Sequence, residues 1–190
     1  MAIVLASQSP RRQELLARIG VEDFKTLSLD IDESYPEGLS PEDTVRYIAK
    51  KKCDAAAALC APDDLIITAD TMVFLDNDRL GKPRDEEDAL RMLRALSGRG
   101  HTVCTGVSVR RGAQEERFAV STRVFFRPMT DDEIRAYIKT GEPMDKAGAY
   151  GVQSRGALFV ERIDGDFFNV MGLPVLLLSR MLAEFGVTLL

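Results

Sequence analysis

The stretch IVLASQSPRRQELLARIG, residues 3–20, carries the reading of the fold. Ile3 to Ala6 is a short apolar run of the kind that forms a buried strand. Ser7, Gln8 and Ser9 make a polar loop, and Pro10 stands where a helix begins, since its missing N–H costs nothing at the first helical position. Ser9 is placed to cap that helix, Leu15, Leu16 and Ile19 give it an apolar face, and Gly20 ends it. A strand, a short loop and a helix in succession are the building unit of α/β folds. Arg11 and Arg12 do not suit a plain surface helix, because they fill the first turn, where the positive end of the helix dipole disfavours cations. An anion held by the N–H groups of that turn, the hydroxyls of Ser7 and Ser9 and the two guanidinium groups would reverse the penalty. Phosphate is the most economical choice; a solvated arginine pair is the competing reading. The glycine-rich Walker pattern is absent, which excludes a P-loop NTPase.

Outward from this unit, the pattern continues as alternating strands and helices. Phe24 to Ile31 reads as a strand running into the acidic turn Asp32-Glu33-Ser34. Ser40-Pro41-Glu42-Asp43 opens a helix lasting to about Leu59, and Leu65 to Leu75 has the β-branched content of a central strand. Asp76-Asn77-Asp78 is a turn, Gly81-Lys82-Pro83 a loop, and Asp85 to Leu96 a helix. Thr102 to Arg110 and Glu116 to Phe126 alternate like the two strands of a hairpin. Thr130 to Glu133 is a capping box. Gly148 to Gly156 is a loop, Ala157 to Arg162 a strand, and a last helix starts near Pro174. Helices and strands in this order, with a hairpin among them, indicate an α/β fold with a mixed sheet, whose ligands bind near the carboxyl ends of strands.

The 190 residues suit one large domain or two small lobes sharing a sheet. Twenty-five basic and 30 acidic side chains give a net charge of −5, which argues against general nucleic-acid binding. The three cysteines, Cys53, Cys60 and Cys104, have no metal-ligand spacing and read as small buried hydrophobes in a reducing compartment; Cys53 and Cys60, seven apart, would share a helix face. The single histidine, His101, has no carboxylate-rich partner in sequence and is not read as catalytic. No signal peptide and no membrane-length apolar run are present, so the expected location is cytoplasmic, with no membrane association.

Four further groups carry chemistry. Asp70 sits in the apolar strand as Thr68-Ala69-Asp70-Thr71, where an acid is costly unless it meets a cation, a hydrogen-bond network or a task. It could hold a hard divalent cation or act as a base; a strand-end aspartate is the structural alternative. Of Lys50, Lys51 and Lys52, successive helix positions ~100° apart, only one can face a given cleft. Lys82 lies in a stiff Gly-Lys-Pro loop, and Asp32-Glu33 adds a second carboxylate cluster. Ala147 to Gln153 holds glycines that permit close backbone approach, and the Gln153 amide can read a base edge. Together these describe an acid-and-metal site for a polyphosphate.

The motifs, in order, are LASQSPRRQELL at 5–16, DES at 32–34, ADTMV at 69–73 and GKP at 81–83. LSGRGHTVCTGV, EPMDKAGAYGVQ and GDFFNVMGLPV follow. Over almost its whole length the chain resembles the Maf proteins, a family of nucleoside triphosphate pyrophosphatases. The resemblance implies a single domain over residues 1–190, an elongated mixed β-sheet flanked by helices, and two lobes around a central cleft. It implies hydrolysis of a nucleoside triphosphate to the monophosphate and pyrophosphate with a divalent cation, Mg or Mn. Asp70 is implied as proton acceptor, Glu33 as the family's acidic position, and Ser7, Ser9, Arg11, Arg12, Lys52, Thr71, Lys82 and Gln153 as substrate-binding residues. Asp70 and Glu33 are the candidate metal ligands, a role that for Asp70 stands beside that of base. Arg11, Thr71 and Gln153 match the subfamily specific for dTTP and UTP; the subfamily acting on 7-methyl-GTP is the main alternative. The family name is tied to septum formation, so a non-catalytic regulator of cell division is the rival reading. Members are often dimeric, which makes a homodimer an expectation beside the small-molecule nucleotide substrate.

Overall fold

β1 (Ile3–Leu5) leads through residues 6–9 into α1 (Pro10–Arg18), and Gly20, at φ 94, turns the chain just beyond. The computed structural model describes residues 1–190. β1 lies parallel to both β2 (Phe24–Thr26) and β3 (Leu65–Leu75), and α2 (Pro41–Ala57) makes the crossover that parallel pairing requires. β4 (Asp78–Leu80) turns back on β3 through Asp76. There follow α3 (Glu86–Leu96), the long strands β5 (Gly100–Arg111) and β6 (Gln114–Phe126), α4 (Asp131–Ile138), β7 (Val160–Asp164), α5 (Phe167–Met171) and α6 (Val175–Glu184). The strand order is β2-β1-β3-β5-β6-β7 with β4 on β3, a mixed seven-stranded sheet flanked by helices, as expected. No helix is long and apolar enough to cross a membrane.

The chain divides into two compact units. The first comprises residues 1–70, 105–120 and 172–190, and the second residues 71–104 and 121–171. In the first unit the buried side chains of β1, α1, α2 and β3, among them Leu5, Leu15, Leu16, Ile48, Leu65 and Ile67, form the core. At Gly106 of β5 an added Cβ would lie 2.3 Å from the carbonyl carbon and oxygen of Val45, so the backbone of α2 rests directly on the strand. Only glycine fits there, and the contact fixes where α2 carries its lysines. The second strand is shorter than the sequence pattern suggests. It stops at Thr26, and Leu27 and Leu29 pack instead against the cluster of Ala6, Cys53, Ala56 and Ile66. The Leu27 N–H still donates to the Leu5 carbonyl at 3.0 Å, and beyond it the half-buried apolar side chains are held by that cluster, drawn from α2 and the sheet, without a continued strand ladder. Cys53 is buried in α2, but the helix ends at Ala57, so Cys60 lies past it and shares no helix face.

In the second unit Leu90, Leu93 and Leu96 of α3 and Ile134 of α4 are fully buried, and edge-on rings of His101, Phe126 and Tyr150 extend that core. Residues 155–159 form a 3₁₀ turn, so the strand expected from Ala157 begins only at Val160. α5, absent from the sequence reading, is a five-residue helix pinned by Asn169, whose amide donates to the Val103 carbonyl at 3.0 Å and to the Thr122 hydroxyl at 2.9 Å. Phe167 and Phe168, at the start of α5, are 40% and 39% exposed.

Candidate active site

Four helices of this protein begin in two different ways. α2, α3 and α4 open with Ser40, Asp85 and Thr130, whose side chains accept from N–H groups of the first turn, and each has acids in that turn. α1 has neither feature: Ser9 makes no side-chain cap bond, no acid follows, and Arg11 and Arg12 occupy the turn. The expectation that Ser9 caps α1 is therefore corrected in its chemistry, though not in its place. The Ser7 hydroxyl takes the structural role, accepting from the Ser9 N–H at 3.2 Å and from Arg12 Nη1 at 3.3 Å. Arg12 Nε donates to the Gly172 carbonyl at 2.8 Å, which anchors the guanidinium instead of leaving it to swing in water. Burial lowers the Arg12 pKa below the ordinary arginine value. The charge of Asp70 opposes that shift, Arg11 adds to it, and Glu33 opposes it again. The guanidinium and the Asp70 carboxylate are thus in electrostatic reach of one another, and the arginine keeps its charge.

Asp70 reaches this place by simple periodicity. Thr68 and Asp70 are two apart on β3 and share a face. Thr68 Oγ1 donates to the Ala49 carbonyl at 2.7 Å, registering the strand against α2. Lys52, three residues beyond Ala49 and on the same helix face, then donates to Asp70 Oδ1 at 2.8 Å and pairs with Glu33 Oε1 at 2.9 Å. The lysine and Asp70 side chains are only 14% and 10% exposed, whereas Glu33 is 57% exposed. A pair this enclosed is costly to desolvate and is held by its mutual hydrogen bond. The other two lysines point elsewhere: Lys50 pairs with Asp54, and Lys51 pairs with Asp32 at 3.2 Å. The hydroxyl and N–H of Ser34, with Lys51, hold the Asp32 carboxyl down at about 2. Only one lysine of the run faces Asp70, as helix geometry demands.

Ser7, Arg12, Glu33, Lys52 and Asp70 are therefore gathered in the first unit, with Ser9 and Arg11 in the same loop and turn. Thr71, Lys82 and Gln153 belong to the second unit. Thr71 and Met72 are the half-buried positions of an otherwise buried β3. Lys82 is exposed beside buried Pro83, and the Gly81 carbonyl accepts from the Gly148 N–H at 3.1 Å. That bond joins the Gly-Lys-Pro loop to the glycine-rich segment that carries Gln153. Gln153 itself is exposed.

No three His, Cys, Asp or Glu side chains come together in a way that could hold a metal ion. Asp70 and Glu33 nevertheless fit a hard divalent cation of the magnesium type. Both offer carboxylate oxygens, both lie on one ammonium group, and such ions use one or two carboxylates completed by phosphate oxygens and water. His101 is buried in the second unit, its Nε2 2.8 Å from the Tyr150 hydroxyl. Burial pushes its pKa down to about 4, so it is a neutral packing residue and not a catalytic base. The sequence reading missed Glu142 and Tyr137, which surround the Gln153 segment. Glu142 lies in a motif already quoted, but its partners are 12 to 14 residues away and only folding brings them together.

Residues 2–185 match the profile of the Maf-like protein family. The chain belongs to the Maf family. A relative from Bacillus velezensis, named dTTP/UTP pyrophosphatase, is 48% identical over 185 residues, 97% of each chain. Relatives of the same name from a Geobacillus strain and from Pelotomaculum thermopropionicum are 49% and 47% identical, covering 96% and 97% of this chain and 95% and 96% of their own. Among solved structures, the Ham1 protein of Staphylococcus aureus aligns with 97% of this chain and 100% of its own, at a TM-score of 0.56 and 14% identity. A HAM1 protein from Coxiella burnetii aligns with 97% and 99%, at a TM-score of 0.55 and 15% identity. At that identity the likeness speaks for a shared fold between this Maf chain and the two Ham1 proteins.

Proposed function

We propose that this Maf chain is a nucleoside triphosphate pyrophosphatase that hydrolyses dTTP and UTP to the monophosphate and pyrophosphate. The observation that carries the reading is the enclosed Asp70–Lys52–Glu33 group, with Arg12 close enough to feel the Asp70 charge. An acid with an ammonium and a guanidinium beside it is what attack of water on a phosphate anhydride requires. The relatives that match over nearly the whole chain bear the names of enzymes acting on dTTP and UTP.

In the mechanism that follows, the Ser7–Arg12 turn and Lys52 bind the triphosphate, and Lys82 contributes a further cation. Asp70 accepts the proton of the water that attacks the α-phosphorus. Arg11, Arg12 and Lys52 balance the negative charge that builds on the departing pyrophosphate. Asp70 and Glu33 are the residues that would hold a divalent cation, Mg or Mn, whose chemistry is to neutralise phosphate oxygens and acidify water. Gln153 hydrogen-bonds the uracil or thymine edge, with Arg11 and Thr71 as the other two specificity positions. The reading treats residues 1–190 as one Maf domain in the cytoplasm, acting as a homodimer and without nucleic acid or membrane.

The test is pyrophosphate release by the purified chain with UTP, dTTP, CTP, ATP, GTP and 7-methyl-GTP, each with and without magnesium or manganese. Metal-dependent turnover favouring UTP and dTTP is expected. Preference for 7-methyl-GTP, or no turnover of any triphosphate, would overturn the reading, and the latter would favour the regulator. Sedimentation of the same sample checks the dimer.

A further inference from the structure

Gln153 is an exposed side chain on a segment whose neighbours are locked in place. Gly151 and Val152 before it are buried, and so is Gly156 after it. The lock is a carboxylate and a phenol. Glu142 Oε1 accepts from the Tyr137 hydroxyl at 2.7 Å, the Ser154 hydroxyl at 2.6 Å and the Gly156 N–H at 3.2 Å, and Oε2 accepts from the Arg155 N–H at 3.3 Å. The Tyr137 oxygen in turn accepts from the Gly151 N–H at 3.1 Å. Both flanks of Gln153 are thereby tied to one pair of side chains. The packing leaves no slack: a Cβ at Gly156 would lie 2.6 Å from the Gly151 carbonyl oxygen and 2.8 Å from the Tyr137 hydroxyl.

The pair is itself rigidly held. Tyr137 is buried on α4, a helix opened by a complete capping box, and its ring meets Phe159 edge-on at 5.1 Å between centroids. Lys146 Nζ donates to the Glu142 carbonyl at 2.7 Å. Partial burial works to raise the Glu142 pKa, but the bonds from Ser154, Tyr137, Gly156 and Arg155 outweigh it, so the group stays ionised and keeps its acceptors. Burial, and then the bond to Glu142, raise the Tyr137 phenol, which remains a donor.

We propose that Glu142 and Tyr137 are positioning residues for base recognition, holding residues 151–156 in the shape that presents the Gln153 amide to the pyrimidine. This deepens the functional reading above and rests on it. A recognition group on a preordered segment discriminates because it cannot shift to satisfy a different hydrogen-bond pattern. A segment ordered only on binding loses affinity to that ordering and accommodates the wrong base. Uracil and cytosine differ in the donor and acceptor pattern of that edge, so the UTP-to-CTP ratio is the sensitive readout.

The experiment measures kcat and KM for UTP and CTP, with thermal melting, for the wild type, Glu142→Gln, Tyr137→Phe, Gln153→Ala and the double variant Glu142→Gln/Gln153→Ala. Each of the first two substitutions should lower the UTP-to-CTP ratio of kcat/KM about five- to tenfold, the size of one or two hydrogen bonds. The change should lie mainly in KM for UTP. In the Gln153→Ala background, Glu142→Gln should change the ratio by less than about twofold, because the two residues act as one unit. Should Glu142→Gln fail to fold, Tyr137→Phe decides, since it keeps the ring against Phe159. Ratios that stay at the wild-type value, or a double variant whose loss is the product of the single losses, would overturn the inference alone. A wild type that turns over no pyrimidine triphosphate would overturn the functional reading and this inference with it.

Discussion

The cluster around Asp70 and the cluster around Glu142 use the same kinds of atoms to opposite ends. In the first, the carboxylates of Asp70 and Glu33 and the ammonium of Lys52 converge from β3, the 32–34 turn and α2 and meet each other through side chains alone, while the Arg12 guanidinium of α1 feels the Asp70 charge from its seat on Ser7 and the Gly172 carbonyl. In the second, one carboxylate is consumed by four hydrogen bonds, two of them from backbone N–H groups. A cluster of side-chain charges can exchange its partners for phosphate, water or a metal at little structural cost. A carboxylate wired to the backbone cannot, so it shapes a loop instead. The contrast separates groups that would touch the substrate from groups that hold such groups still.

The sharpest break comes at Asp70. Asp70→Asn removes the proposed proton acceptor, and with it one of the two carboxylates proposed to hold a cation, while keeping the shape, so turnover should fall about a thousandfold or more. Calorimetry should show a melting temperature close to the wild type. A well-folded variant that retains activity would move Asp70 from the substrate-facing class to the scaffolding class.

Next in size is a stability effect in the second unit, where the interior around His101 tolerates no charge. Its folded value of about 4 lies below the ordinary 6.5, so the unfolded chain binds the proton first as pH falls. Stability present above pH 6.5 should therefore be lost as pH drops towards 4, by up to ~3 kcal/mol. His101→Phe should flatten that limb of a denaturation series; an unchanged slope would place the acid sensitivity elsewhere.

Arg12→Ala tests whether the arginine serves ligand as well as structure. Loss of kcat/KM by about a hundredfold is expected, comparable to removing one oriented charge-stabilising donor. Arg12→Lys should restore little, since an ammonium cannot serve Ser7, Gly172 and a phosphate in a planar fork. Full rescue by lysine would reduce its role to a point charge. The smallest effect is at Gln153: Gln153→Glu should shrink the preference for UTP over the other triphosphates about tenfold, in rate ratios across the panel, with melting unchanged.

Much of this molecule was legible without coordinates because the signals were local. The helix starts at Ser40, Asp85 and Thr130, the β-branched run of β3 over residues 65–75 and the alternation of the β5–β6 hairpin are each written in residues close together along the chain. The misplacement of Arg11 and Arg12 in a first turn was visible for the same reason, as an electrostatic conflict within one helix. The ordered motifs carried the family, and with it the expected part played by Asp70 and Gln153.

Other features waited on tertiary structure. Helix geometry says that one lysine of three can face the sheet, but the contact of Gly106 with Val45 and the bond from Thr68 to Ala49 decide that it is Lys52. The chain after Thr26 has strand-like composition, yet the strand ends there, and Leu27 and Leu29 pack on a cluster assembled from Ala6, Cys53, Ala56 and Ile66, residues brought together only by folding. Glu142 looked like any surface acid, since its partners become neighbours only when residues 151–156 close on α4. Local sequence determines which conformations each segment favours; which of its polar groups are used up and which stay open to a ligand depends on segments far along the chain, through burial that no local pattern encodes.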